Sequence, residues 1–233
     1  MTDVKQTPAT QLFPKPKTVV KRTGDRAISI KQLLAKKYTE VDLGEYTIVL
    51  GQIEGKCTIT IYGPSASGKS VWVLKLVNYL AGKYGKVCYN SHEERHNKTI
   101  QTRVIEHVVP LGYSEKLYIA PAWDFATLKK KIKSNKYRVV VIDSAQYMGF
   151  TYDQLIELKE TFKKNNIIWI IVSFGQGLGK TDGCNDILHA SDVKININQG
   201  MLTSQSRYLS ETYKVRLFNP KKVEHEIFDT PKK

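Results

Sequence analysis

Gly63-Pro64-Ser65-Ala66-Ser67-Gly68-Lys69-Ser70 constrains this chain more than any other stretch. It satisfies G-x-x-x-x-G-K-[ST] at every fixed position, and it stands between segments of opposite periodicity. Cys57 to Tyr62 reads as a strand running into the loop, and Val71 to Ala81 reads as a helix leaving it. The glycines let the backbone curl so that successive N–H groups point into one cup. The helix N-terminus adds partial positive charge to that cup. Gly63 to Ser70 are therefore predicted to hold the phosphates of a nucleoside triphosphate, with Lys69 reaching the β- and γ-phosphates and the Ser70 hydroxyl ligating Mg²⁺. The bland alternative is a chance Gly/Ser turn ahead of a helix, and a full match in this context argues against it.

Strands and helices alternate from Cys57 onward. Strands are predicted at 86–91, 116–119, 138–143 and 167–173, and helices at 99–109, 125–134 and 152–165. Arg138 to Asp143 and Ile167 to Ser173 are near-continuous apolar runs, the pattern of parallel strands buried on both faces. Residues 174–185, rich in Gly and polar side chains, read as a loop. Val193 to Ile197 and Met201 to Ser206 flank Asn198-Gln199-Gly200 as a hairpin, and Tyr213 to Phe218 reads as a last strand. The fold class is α/β with a mainly parallel sheet and a C-terminal β-hairpin. Four regions follow: a disordered basic arm at 1–26, a lead-in at 27–56 with a short helix at 28–37, an ATPase core at 57–219, and a basic tail at 220–233.

A chain of 233 residues, 41% hydrophobic, suits one domain with a full core. Its longest purely apolar run, Ile167 to Val172, falls far below the ~20 residues of a membrane span. The N-terminus lacks an apolar segment after a basic start, so a cytoplasmic protein is expected, and the Asn97-Lys98-Thr99 sequon carries no glycan there. Cys57, Cys88 and Cys184 form no C-x-x-C pair, which points away from a disulfide scaffold or zinc ribbon.

Val139-Val140-Val141-Ile142-Asp143 delivers one carboxylate to the C-terminal edge of the sheet, where Asp143 is predicted to hold Mg²⁺. Ser144 and Gln146 follow as candidate γ-phosphate sensors. Glu93, at the end of the strand after the P-loop helix, is the candidate base for the attacking water, provided that its strand neighbours that of Asp143. The alternative is that Glu93 and Glu94 are surface acids at a strand end. His92-Glu93-Glu94-Arg95-His96 also matches H-E-x-x-H. The first histidine follows a strand-type run, and neither His107, His189 nor His225 has third-ligand spacing, so the match reads as accidental.

From about Leu43 to Phe218 the chain resembles RecA-fold ATPases, in the branch containing RadA and the DnaB-type replicative helicases. The motifs are Gly51-Gln52-Ile53-Glu54-Gly55, the P-loop, Tyr89-Asn90-Ser91-His92-Glu93, Val140 to Gln146, the Ile168–Ser173 strand and Gln205-Ser206-Arg207-Tyr208. Small single-domain members are similar to phage and mobile-element proteins. The resemblance implies a three-layer RecA-like P-loop NTPase with a twisted sheet. It further implies that Glu93 activates water, that the 168–173 strand inserts between the P-loop and Asp143 strands, and that Arg207 reaches a γ-phosphate, often across a subunit interface. The chain departs from that pattern at Phe174, where the family often has Gln or His, with Gln176 two residues late, and at Gln205, where it has Lys. Both departures imply slow or altered coupling of hydrolysis to movement. The RadA zinc finger and C-terminal domain and a helicase N-terminal domain are not matched.

A net charge of +14 favours a polyanionic partner, nucleic acid first. Single-stranded DNA is expected to meet Lys15, Lys17, Lys21 and Arg22 of the arm and Lys180 and Gln176 of the late loop, in a homo-oligomeric ring or filament. A DNA-dependent ATPase of recombination, repair or replication is the leading reading. A P-loop kinase for a nucleotide or small molecule competes with it. The loop FGQGLGKTDGCND contains no arginine, which argues against a kinase lid. A non-hydrolysing, ATP-dependent scaffold is the third reading.

Overall fold

The computed structural model describes residues 27–175 and 184–217. The expectations for 1–26, Gln176, Lys180 and 220–233 lie outside the described residues. The chain divides into two units, Met1–Tyr38 and Thr39–Lys233, so the division falls inside the expected lead-in. In the first unit, α1 (Ile30–Leu34) is a single capped turn. Its capping box is reciprocal: Ser29 Oγ accepts from Gln32 N at 3.2 Å and Gln32 Oε1 accepts from Ser29 N at 2.9 Å.

The second unit opens with a 3₁₀ turn and α2 (Thr47–Leu50), then β1 (Thr58–Tyr62), α3 (Lys69–Lys83), β2 (Val87–Ser91), α4 (Lys98–His107) and β3 (Leu117–Ala120). It continues with α5 (Phe125–Asn135), β4 (Val139–Asp143), α6 (Ala145–Met148), α7 (Tyr152–Thr161) and β5 (Ile168–Val172). It ends with α8 (Cys184–Ala190), β6 (Val193–Asn198), β7 (Met201–Ser206) and β8 (Tyr213–Arg216). One sheet holds every strand of the described residues, in the order β3-β2-β4-β5-β1-β6-β7-β8. It is parallel from β3 to β6, and β7 and β8 are antiparallel additions. The architecture is the expected RecA-like three-layer α/β fold, and β5 does lie between β1 and β4.

The two apolar runs read as they do because both faces of their strands are covered. Val139 and Val141 of β4 and Ile168 and Ile170 of β5 pack into one cluster with Val73, Val77 and Leu80 of α3. Val140, Ile142, Trp169 and Ile171 point the other way, against Leu128 of α5 and Leu155 and Leu158 of α7. β6 alternates between buried and half-buried residues, as an antiparallel ribbon covered on one side does. The hairpin turn falls at Gln199-Gly200, both with positive φ (47° and 71°), the conformation a tight two-residue connection needs.

Three differences from the sequence reading have local causes. α2, α6 and α8 went unread because each is too short for helical periodicity to register. α7 stops at Thr161 rather than Asn165: Phe162 leaves helical geometry, and Asn166 turns the chain with φ 49°. α3 begins at Lys69, two residues early, because the P-loop itself supplies the first helical turn. α2 is locked beneath the hairpin. Ser204 Oγ donates to Val49 O and Ser206 Oγ to Leu50 O, both at 2.6 Å, so the sheet serves carbonyls that end a short helix.

Candidate active site

The register brings four strand ends to one edge. Ser91 pairs with Asp143 across β2 and β4, Asp143 with Val172 across β4 and β5, and Ile61 with Val172 across β1 and β5. Everything that leaves these strands enters one cleft of about 500 Å³. Its walls include Ser67, Lys69, Ser70, Glu93, Arg103 and Asp143. The condition attached to Glu93 is met, since β2 is the neighbour of β4.

The loop that closes the cleft is built by two glycines. Gly63 has φ 149°, and a Cβ there would stand 2.0 Å from the Ile197 carbonyl oxygen. Gly68 takes φ 93° as the N-cap of α3, with no side chain capping the helix. The first amide groups of this 15-residue helix are thus left to whatever occupies the cleft. Lys69 heads the helix, and its ammonium donates to the carbonyls of Gly63 (2.9 Å) and Pro64 (2.5 Å). Burial lowers its pKa, and the nearby Asp143 and Glu93 carboxylates oppose the shift.

Asp143 is buried, and the Tyr89 hydroxyl donates to its Oδ2. Burial raises its pKa, against the pull of Tyr89, the neighbouring Ser70 hydroxyl, Arg103 and Lys69. Three buried polar atoms at the cleft have no hydrogen-bond partner: Asp143 Oδ1, Ser67 Oγ and Ser144 Oγ. A hard divalent cation takes oxygen ligands of this kind, and a phosphate chain accepts from hydroxyls, so the residues present fit Mg²⁺ and a triphosphate.

Glu93 is exposed to the cleft, whereas Glu94 is buried and ion-paired with Arg103. The segment 92–96 is a turn rather than a helix. His92 Nε2 donates to Trp123 O and His96 Nε2 to Ile119 O, both at 2.9 Å. No cluster able to hold a metal occurs among His, Cys, Asp and Glu of the described residues, which leaves the H-E-x-x-H match without a site.

Gln146 grips the segment after β5: its Nε2 donates to Phe174 O (3.0 Å) and its Oε1 accepts from Phe174 N (3.3 Å). Phe174 lies beside Tyr147, with ring centroids 5.6 Å apart, and both rings line the cleft. Arg207 is not at the cleft. It lies just past β7, at the opposite edge of the sheet, where Nη1 donates to Asp192 Oδ1 at 2.9 Å. Asp192 in turn accepts from the amide of Thr58, the first residue of β1.

The sequence reading missed Arg103, Tyr147 and Tyr89 as parts of the site. It also missed an adjoining hollow of about 660 Å³, which shares Ala66 and Gly68 with the cleft and is walled by Tyr46, Trp72, Tyr213 and Val215. Arg103 had only a weak signal, an arginine one turn into the helix that follows two acids. The hollow had none, because its walls come from segments far apart in sequence.

A family model described as thymidine kinase matches residues 57–178, more than half of the chain, from the start of β1 to just past β5. No curated protein matches the chain in sequence. Among solved structures it is similar to the KaiC-like protein PH0186 from the hyperthermophilic archaeon Pyrococcus horikoshii OT3. That match has 15% identity and a TM-score of 0.56, and covers 77% of this chain and 93% of the other. It is also similar to the flagellar accessory protein FlaH from Methanocaldococcus jannaschii, at 14% identity and a TM-score of 0.59, covering 78% and 96%. At these identities the likeness is one of fold, the RecA-like α/β fold. Among the described residues no helix is long and apolar enough to cross a membrane.

Proposed function

The chain belongs to the thymidine kinase family across its P-loop core, and we propose that it transfers the γ-phosphoryl group of ATP to an oxygen nucleophile activated by Glu93, with water as that nucleophile in a reaction coupled to DNA. The observation that carries this reading is Glu93 itself. It is an exposed carboxylate in the cleft that holds Lys69 and Asp143, in the turn that leaves β2, the strand next to that of Asp143. There a carboxylate can take a proton from a nucleophile in line with the terminal phosphate. The P-loop amides and Lys69 hold and orient the phosphates. The apolar hollow beyond Gly68 takes the base, and tripolyphosphate, which lacks a base, is expected to bind more weakly than ATP. Mg²⁺ on Ser70 and Asp143 would neutralise charge on the phosphate oxygens. Tyr89 holds Asp143 by one oxygen and leaves the other free.

Coupling to DNA rests on the net charge of +14 and on the Tyr147–Phe174 rings at the cleft, next to the segment gripped by Gln146. Exposed aromatic faces stack on unpaired bases, and cations of the chain neutralise phosphates.

A second reading is favoured by the family match: the nucleophile is the hydroxyl of thymidine or a related nucleoside, with Glu93 as the same base. ADP formation from ATP, scored together with free phosphate and thymidine monophosphate, separates the two. It is measured alone, with single-stranded DNA, with duplex DNA, with RNA and with thymidine, at two salt concentrations. Stimulation by single-stranded DNA that fades with salt supports the first reading. Formation of thymidine monophosphate without DNA stimulation establishes the second and overturns the first.

A further inference from the structure

The P-loop motif does not account for every cation in the cleft. Arg103, on α4, lines it beside Glu93, Lys69 and Asp143. Its Nη1 is ion-paired with Glu94 Oε1, and the side chains are 36% and 11% exposed. A guanidinium carries five N–H donors in a planar fork. Among the described residues no other hydrogen bond engages Arg103, so its remaining donors are left to the cleft. The other Glu94 oxygen, Oε2, is buried without a partner. The Arg103 end is more than a third exposed, and solvent screening leaves such an ion pair little net stability. The pair therefore invites a role other than stability.

Charge balance at the cleft supplies one. Three carboxylates, Asp143, Glu93 and Glu94, stand among two cations, Lys69 and Arg103. A triphosphate adds charge at the end nearest Glu93. Lys69 is already shared between two loop carbonyls. Arg207, the arginine singled out by sequence, stands at the opposite sheet edge.

We propose that Arg103 is the γ-phosphate cation supplied by the chain itself: Glu94 holds the guanidinium at the cleft wall, and the γ-phosphate engages its free donors. The Glu93-Glu94 turn is thereby tied to the presence of a third phosphate, and Glu93 is set only when the nucleotide can react. Glu94 is a positioning residue in this scheme, acting through Arg103. The inference rests on the reading of the cleft as an ATP site.

The test is the ratio of ATP to ADP affinity, measured by calorimetry at fixed Mg²⁺, together with turnover. Arg103→Ala is expected to weaken ATP at least tenfold while ADP stays within twofold, and to lower kcat by about 10²–10³, as loss of an electrostatic donor does. Arg103→Lys keeps the charge but loses the fork, and should fall between the two. A purely structural role predicts equal losses for ATP and ADP, and that result overturns the inference while leaving the ATP site standing. If Arg103→Ala does not fold, the Glu94→Gln/Arg103→Gln double variant replaces the ion pair by a neutral amide pair and is read the same way. Wild-type protein that binds neither nucleotide overturns both the inference and the function on which it rests.

Discussion

Replacing Glu93 by Gln separates chemistry from binding. Glu93 is exposed and makes no hydrogen bond or ion pair among the described residues, so the amide should fold as well as the acid, within about 0.5 kcal/mol. Lys69, the helix amides and Ser70 do not depend on it, so the ATP dissociation constant should stay within about threefold, a change of ~0.7 kcal/mol. What the amide lacks is a basic oxygen to take the nucleophile's proton. Loss of such a group costs about 10²–10⁴ in rate. At about 1.36 kcal/mol per decade this adds ~3–5 kcal/mol to the barrier. The same change at Glu94 acts differently, because that carboxylate is buried against Arg103 and its loss frees a cation rather than removing a base. The assay is single-turnover phosphate release at saturating ATP, with a fluorescent nucleotide titration as the binding control. Turnover of Glu93→Gln within threefold of wild type would refute the assignment. So would stoichiometric zinc held by His92 and His96.

Three further outcomes are expected. Ser204→Ala removes the partner of the Val49 carbonyl in a buried setting, and should cost about 1–3 kcal/mol in denaturant titration; an unchanged midpoint would mean that α2 does not depend on the hairpin. Asp143→Asn should alter the pH dependence of stability without Mg²⁺. Burial raises the Asp143 pKa, so wild type is most stable, relative to the amide, below the unfolded-state pKa, and it loses that stability as pH rises through the folded one. The variant should therefore gain on wild type as pH rises through the acidic range towards neutrality, and parallel melting curves would count against a buried, charge-averse carboxylate. Arg207, remote from its own cleft, is proposed to complete the site of a neighbouring copy, so mixing Arg207→Ala with Lys69→Ala chains should restore part of the activity that each lacks alone; no recovery, or full activity in a strict monomer, excludes that arrangement.

Where the sequence was legible, the reason is local. β4 and β5 announced themselves because each is covered on both faces, so every residue from Val139 to Ile142 had to be apolar. The P-loop was legible because its amides, Lys69 and Ser70 act within a few residues of one another. Glu93 was legible only conditionally, since nothing in the chain states that β2 lies beside β4. Arg103 was only faintly legible: its significance depends on Glu94, nine positions earlier, turning inward while Glu93 turns to the cleft. The apolar hollow was illegible for the same reason, its walls coming from α2, α3 and β8.

Arg207 teaches the opposite lesson. The turn at Gln199-Gly200 sends β7 back along β6, which is parallel to β1. A residue at the end of β7 must therefore emerge at the edge where β1 begins, not where the P-loop lies. A single chain cannot bring that arginine to its own phosphates without dismantling the ribbon. The chain thus presents two arginines to two different edges, Arg103 at the cleft within its own fold and Arg207 at the far edge. Arg103→Ala should impair catalysis even in isolated chains. Arg207→Ala should matter only at concentrations where chains associate. Concentration series of the two variants that superimpose would remove the distinction between a cation supplied in cis and one supplied by a neighbour.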